Sequence, residues 1–461
     1  MAVKVVSPLD SAFMLVERDE MPWHASLLMV FTLPDDAGAD FVSDLREQMR
    51  GSQTPAVPFN LAPVHARLTK LPMMRTVSSI DVDHHVRLHR LPRNGGEREL
   101  NELVGQLHGE RLDMSRPLWE LHLIEGLPGN RFGAFIKIHH SVVDGITGMR
   151  RLLRWLSPDP EARDCAPLFT VGPGAYVPRE ETGSQVTRVA KTVGTHTRAA
   201  GQLSRTVYQL VRGSIDGEPL AVPYQSPKSV WHGRISNQRS IASKQFDLER
   251  LKAAAADHGV GLGDVVLYMC GSALRSYLAN HGGVPAKPLT GGVPMSIRDD
   301  NDERPGSAFG FVTVDLGTNV ADPVERLAAV TRSNTASKTQ LGSLSDEALG
   351  LQTVVANGPM IAALALGTKA LTPAAFGLVI SNIPGPKKPL YLNGARLESL
   401  IPVSVPMHNS PINMTAIGHD GRITFGMVAA SEKVPELGQV ADGLVDALVD
   451  LEKTGNRRKL A

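Results

Sequence analysis

The amino-acid sequence predicts an α/β protein of two domains with mixed sheets. Three observations carry this. The chain is 461 residues long, too long for one hydrophobic core and comfortable for two. Both halves alternate short strand-like runs with segments of helical periodicity. Between them, after Trp155, Pro158, Pro160, Pro167, Pro173 and Pro178 punctuate an irregular surface linker.

The elements follow in order. Residues 25–33 read as a strand and 39–50 as an amphipathic helix with Asp40 near its start. Residues 97–111 form another helix, and 119–124 alternate as a half-buried strand. Leu127-Pro128-Gly129-Asn130 is a turn into a strand over 132–138, apolar on both faces, and 146–156 has helical spacing. These make a first domain, residues 1–157. The linker region, 158–230, carries a helical stretch over 182–213 in which Lys191, Arg198, Arg205 and Arg212 recur every seven residues without acidic neighbours. It reads as a solvated helix packing one face, or as a basic amphipathic helix that also touches anionic lipid headgroups.

A second domain, residues 231–461, has strands at 239–246, 288–294, 309–316, 376–380, 412–418 and 423–428. Its helices fall at 247–257, from Gly263-Asp264 to 279, at 323–339 and at 435–453. Residues 348–368 carry no charge for 21 positions, a length that can span a bilayer. Gly350, Asn357, Gly358 and Pro359 interrupt its first half, so it reads as a buried loop-helix. The apolar run 360–371 fits the wall of an acyl channel or a core helix equally well.

Composition narrows the function. Hydrophobic content of 42% with 21% charged residues is that of a soluble globular protein, and a net charge of +1 gives no field for nucleic acid. Cys165 and Cys270 stand far apart with no metal-type spacing, which suits a reducing cytoplasm. Lys4, Asp10, Glu17 and Arg18 break up the N-terminal apolar stretch, so it is not a signal peptide. No glycine-rich phosphate loop follows a strand.

The chemistry concentrates in His139-His140-Ser141-Val142-Val143-Asp144-Gly145, at the exit of the 132–138 strand. A histidine held there can serve as general base for a hydroxyl or thiol. Adjacent strand side chains point to opposite faces, so one histidine addresses a cleft while the other supports it. The plain alternative is two satisfied polar residues at a strand end. Metal binding lacks a third ligand at short spacing, and no nucleophile elbow accompanies the pair. A second pair, His84-His85, lacks the following Asp-Gly and reads as a strand-entry or surface element.

The chain resembles bacterial wax ester synthase/diacylglycerol acyltransferases, most of all the actinobacterial triacylglycerol synthases. The shared motifs are Ser7-Pro8-Leu9-Asp10 with Phe13 and Glu17, Pro117-Leu118-Trp119-Glu120, His139-His140-x-x-x-Asp144-Gly145, Val293-Pro294-Met295-Ser296-Ile297-Arg298 and Ser381-Asn382-Ile383-Pro384-Gly385-Pro386. One departure is clear: Gly263-Asp264 stands where the family usually has Asn-Asp.

The resemblance implies the CoA-dependent acyltransferase fold, similar to chloramphenicol acetyltransferase and peptide-synthetase condensation domains, with a tunnel between two pseudo-equivalent domains. It implies that His140 is the general base, that no acyl-enzyme forms, and that acyl-CoA is co-substrate with no cofactor. Asp144 would pair with Arg298 and fix the motif loop. Asn413, Ser381 and Asn382 are the implied oxyanion or substrate contacts, with Gly385 shaping their loop. Pro117, Leu118 and Trp119 would wall the tunnel or pack. The implied reaction makes triacylglycerol from diacylglycerol, or wax ester from a long-chain alcohol, at a membrane or lipid-body surface. A lipid-binding protein that kept the fold without catalysis, and an enzyme using a carrier-bound acyl group, are the readings of other classes.

Overall fold

A computed structural model describes residues 3–6, 8–64, 72–92, 95–143, 145–172, 221–296, 309–342 and 375–460. In the first half the elements are β1 (Val3–Val5), α1 (Pro8–Val16), β2 (His24–Thr32), α2 (Phe41–Arg50), β3 (Leu61–Val64), β4 (Met73–Thr76), α3 (Val82–His85), β5 (Val86–Arg90), α4 (Glu97–Gly109), β6 (Trp119–Leu127), β7 (Arg131–His139) and α5 (Gly145–Trp155). In the second they are β8 (Arg239–Asp247), α6 (Leu248–His258), α7 (Leu262–Asn280), β9 (Thr290–Ser296), β10 (Phe309–Asp315), α8 (Pro323–Gly342), β11 (Leu378–Ile383), β12 (Tyr391–Leu392), β13 (Ala395–Val403), β14 (Ile412–His419), β15 (Arg422–Ala430) and α9 (Gly438–Leu460).

Two six-stranded mixed sheets result, ordered β12-β13-β2-β7-β6-β5 and β10-β9-β11-β14-β15-β8, beside a small sheet β1-β4-β3. Local chemistry sets the helix ends. The Asp247 carboxylate accepts the Arg250 N–H at 3.0 Å to start α6, and Gly259 stops that helix at φ +67°. Asp264 lies in the first turn of α7, where its carboxylate accepts the Gly261 N–H at 3.0 Å and the Asn334 amide at 2.6 Å. Among the described residues a Cβ at Gly263 would meet only Lys338 Nζ, at 4.0 Å, so close packing does not impose a glycine there.

Each sheet has its own core. The second is filled from one face by α7 and α9, with Leu274, Leu278, Leu444 and Leu448 fully buried. The first is filled by Phe31, Leu121, Leu123, Phe132 and Trp119 among others. A third cluster, Leu28, Val30, Val104 and Phe135 against Ile241, Val403 and Val428, joins the halves. The alternation over 119–124 led to the expectation of a half-buried strand, yet β6 is buried on both faces along those residues. The α4 side of the sheet is covered as well.

The sequence boundary at residue 231 is not a clean cut in space. β12 and β13 lie far into the second half, yet β13 pairs antiparallel with β2 from Ser26 to Thr32. It extends the first sheet while passing over β15, where a Cβ on Gly426 would collide with the Pro402 carbonyl. In return α4 of the first half lies directly on β8 of the second. Gly105 and Gly109 permit this, because a Cβ at either would press into the carbonyl oxygens of Arg239 and Asn237. The 182–213 helix, the charge-free 348–368 segment and the 360–371 run fall outside the described residues. Among the described residues no helix is long and apolar enough to cross a membrane.

Candidate active site

β7 ends at His139, and the chain then turns away, so the two histidines part company. His139 pairs in register with His24 of β2 and is fully buried on the α4 side of the sheet. His140, half-buried, projects from the other face. Its backbone N–H donates to the Trp23 carbonyl at 2.9 Å. Its ring lies 5.5 Å from that of Phe13 and 6.4 Å, edge-on, from that of Trp23.

Phe13 and Trp23 stack on each other at 5.1 Å. They belong to an apolar cluster that also contains Phe376, Val379, Val405 and Met407 of the second half. The His140 ring is thereby placed where the two halves meet. Val379 sits on β11 opposite Asn413 of β14, and Ser381 opposite Thr415. Leu378 and Ile380 point the other way into the second core, as do Ile412 and Met414. Val379, Ser381, Asn413 and Thr415 therefore share the face turned toward the first half. Asn413 is 2% exposed, and its side-chain oxygen accepts the Thr415 hydroxyl at 3.0 Å.

His139 has no access to a substrate, and its state explains why. The Ser141 N–H donates to Nδ1 at 3.1 Å, so Nδ1 is an acceptor and the ring proton sits on Nε2. The Ser141 hydroxyl is 2.7 Å from the same nitrogen. Burial, with the nearby Arg111 charge, pushes the imidazole down to about 3. His139 thus stays neutral, and its ring is tied to the loop at Ser141.

The remaining motif residues fall into place around this pair. Gly145 opens α5. Asp144 and Arg298, expected to pair, both lie outside the described residues. Leu118 gives its carbonyl to the His139 N–H at 3.0 Å, and both Leu118 and Trp119 are 1% exposed. The Trp119 indole N–H donates to the Phe59 carbonyl at 2.9 Å, and its ring stacks on His85 at 4.5 Å. These are core residues of the first half, and the Trp119 ring packs within it. Pro117 borders a separate pocket of about 300 Å3 together with His85, Arg75 and Arg116. His85 closes a short helix directly at the entry to β5, the strand-entry position expected of it, and is buried there. Its ring N–H bonds the Trp119 carbonyl at 2.7 Å, and burial pushes it down to about 4. Asn382 is exposed. Gly385 is fixed by backbone proximity, since a Cβ there would collide with the Gly418 carbonyl.

Sequence reasoning missed a polar layer beneath the motif strand. Lys137 and Glu120, cross-strand neighbours, approach to 3.4 Å, and Lys137 also donates to the Glu110 carbonyl at 2.9 Å. Burial works to raise the Glu120 carboxyl, but the His122 hydrogen bond and the Lys137 charge outweigh it and hold it at about 2. His122 continues the layer to His89 at 3.0 Å, and His24 donates to the His108 carbonyl at 2.9 Å. Polar residues isolated within apolar runs were the only signal.

A paired-lobe architecture with a histidine at the seam defines a class, the two-lobed acyl-transfer fold of condensation domains. The first condensation domain of the calcium-dependent antibiotic synthetase aligns over 98% of this chain and 96% of its own, with TM-score 0.62 at 14% identity, a likeness of fold alone. Within that class the chain belongs to the wax ester synthase/diacylglycerol acyltransferase family, and so to the O-acyltransferases. Residues 6–266 match the wax ester synthase/diacylglycerol acyltransferase catalytic domain, and 305–452 the WS/DGAT C-terminal domain. The wax ester synthase/diacylglycerol acyltransferase from Marinobacter aquaeolei VT8 is 30% identical, with TM-score 0.78 over 98% of this chain and 100% of that one. A putative diacylglycerol O-acyltransferase of Mycobacterium tuberculosis is 34% identical over 97% of this chain and 96% of its own.

Proposed function

We propose that this chain transfers a long-chain acyl group from acyl-CoA to diacylglycerol, forming triacylglycerol, with His140 as general base. The observation that carries the reading is the His140 ring set against Phe13 and Trp23 in an apolar cluster built from both halves. A water-poor seam suits transfer to a lipid hydroxyl over hydrolysis. The imidazole takes the acceptor's proton as its oxygen attacks the thioester carbonyl. The tetrahedral intermediate then expels CoA, whose sulfur recovers the proton, and no acyl-enzyme forms. Asn413 is the oxyanion donor, its amide oriented by Thr415. Asp144 orients the motif loop through Arg298. No resident cofactor takes part. The protein works in the cytoplasm against a membrane or lipid-body surface, a placement supported by the basic seven-residue spacing from Lys191 to Arg212.

The second reading, a wax ester synthase, is favoured by the double name of the Marinobacter relative. CoA release from a long-chain acyl-CoA, with diacylglycerol and hexadecanol offered separately, tests both. Turnover faster with diacylglycerol and lost in folded His140→Ala is expected. Preference for hexadecanol would move the assignment to wax ester synthesis. No acceptor-dependent release would favour a binding protein or a carrier-bound donor.

A further inference from the structure

Glu17 immediately follows α1 and opens the charged run Glu17-Arg18-Asp19-Glu20. Its side chain is fully buried. A carboxylate taken out of water is retained only where donors converge on it; two groups donate to this one and a third faces it. Oε1 accepts the Trp23 backbone N–H at 3.1 Å. Oε2 accepts the Arg111 guanidinium at 3.0 Å. The His139 Nε2–H faces Oε1 at 3.7 Å, beyond hydrogen-bond reach but within electrostatic range. Trp23, fixed by this contact, takes the His140 N–H on its carbonyl and lays its indole edge-on to the His140 ring. Both members of the histidine pair are therefore referenced to one carboxylate.

The loop around Glu17 is clasped from two sides. Arg18 and Met21 exchange backbone hydrogen bonds at 3.4 and 3.0 Å, closing it on itself. Arg111, just past the end of α4, also reaches Asp19 at 2.8 Å. From the second half, Arg234 binds the Glu20 carboxylate at 2.8 Å and Arg239 the Glu20 carbonyl at 2.9 Å. The loop beneath the reacting histidine is thus tied to both halves by arginines, and Glu17 is its only carboxylate aimed at the histidine pair.

We infer that Glu17 is a positioning residue for catalysis: it holds Trp23, and through Trp23 the His140 imidazole, in the orientation that removes the acceptor's proton. The inference rests on His140 being the general base. Glu17 touches no substrate, so its loss acts on the rate of the bound complex and leaves substrate affinity in place. What matters at Oε1 is an acceptor for the Trp23 N–H; Arg111 is needed because that acceptor is charged, and its second contact, to the exposed Asp19 carboxylate, is solvent-screened and holds the loop only weakly.

The test compares wild type, Glu17→Ala, Glu17→Gln and Glu17→Gln/Arg111→Ala in acceptor-dependent CoA release. Thermal melting confirms folding, and His140→Ala serves as the control. Glu17→Ala should lose on the order of 10- to 100-fold in kcat with the KM for acyl-CoA within about twofold, because small misplacements of a reacting group cost rates of that order. The double variant keeps a neutral acceptor with no unpaired guanidinium and should recover to within about threefold of wild type, with Glu17→Gln between it and Glu17→Ala. Wild-type kcat in Glu17→Ala, a loss confined to KM, or a folded double variant as slow as Glu17→Ala would each overturn the inference. Where Glu17→Ala does not fold, the double variant decides: recovery supports the role and a tenfold deficit overturns it. Turnover in His140→Ala would remove the general-base reading itself, a failure distinct from these.

Discussion

Replacing Gly105 or Gly109 by alanine sets two effects of opposite sign against each other. In a solvated helix, glycine to alanine stabilises by about 1 kcal/mol, because the backbone loses less freedom on folding. In this protein both glycines face β8, and an added Cβ would press into the carbonyl oxygens of Arg239 and Asn237, with their carbonyl carbons only 3.3 and 3.4 Å away. α4 must then retreat by roughly an ångström, loosening Leu100, Val104 and Leu107, none more than 4% exposed, from the third apolar cluster. Overpacking of that kind costs about 1–3 kcal/mol. Each single variant should therefore come out destabilised by about 1–2 kcal/mol, the packing term exceeding the helix gain. The double variant should lose less than the sum, since one retreat accommodates both methyl groups. Urea unfolding measures this, and kcat should fall as well. The same helix end presents the His108 carbonyl to His24 and leads into Arg111, which holds Glu17. Two single variants more stable than wild type would refute the reasoning, because that is the behaviour of a helix with no strand against it.

Two further outcomes are expected. Burial holds His122 at about 4 and His139 at about 3, against an ordinary 6.5. The unfolded chain takes up protons from pH 6.5 downward while the folded chain refuses them, so stability is full above that value. It falls from pH 6.5 to about 4 for His122 and to about 3 for His139. The His122 part alone is worth about 3–4 kcal/mol at about 1.4 kcal/mol per pH unit, and urea midpoints should drop across that window while staying level between pH 7 and 8. Trp119→Phe removes the indole hydrogen bond to Phe59 and keeps the ring stack on His85. It should cost about 1–2 kcal/mol of stability with kcat/KM within about twofold; a large fall in kcat/KM at unchanged stability would make Trp119 a substrate contact.

Elements with strong local periodicity were legible: the strands and helices around 25–50, 97–111, 239–279 and 412–430 lie where the sequence puts them, within a few residues, while the closing helix, expected over 435–453, spans Gly438–Leu460. What escaped is what long-range partners decide. β13 has the alternating pattern of a strand, but its neighbour β2 lies in the opposite half, and nothing local names that partner. The strand over 132–138 reads as apolar on both faces, and only the register, which sets Lys137 opposite Glu120, shows the charged pair within it. Strand geometry turns the two histidines of the motif to opposite faces, and the structure buries His139 while His140 stays half-buried at the seam. Glu17 was visible only as part of a resemblance: no spacing distinguishes it from Asp19 and Glu20, which reach the surface.

The late entry of β13 bears on how the protein comes off the ribosome. β2 ends at Thr32, and its partner on that edge begins at Ala395, 363 residues later. At about 5–20 residues per second of synthesis, the open edge of β2 waits roughly 20–70 s for its strand. Leu27, Leu28, Met29, Val30 and Phe31 lie along that edge, an apolar run with unpaired backbone groups of the kind that recruits foreign strands. A nascent chain stalled anywhere before residue 395 therefore carries an incomplete first sheet, and holding that edge apart from its neighbours becomes the work of chaperones during expression.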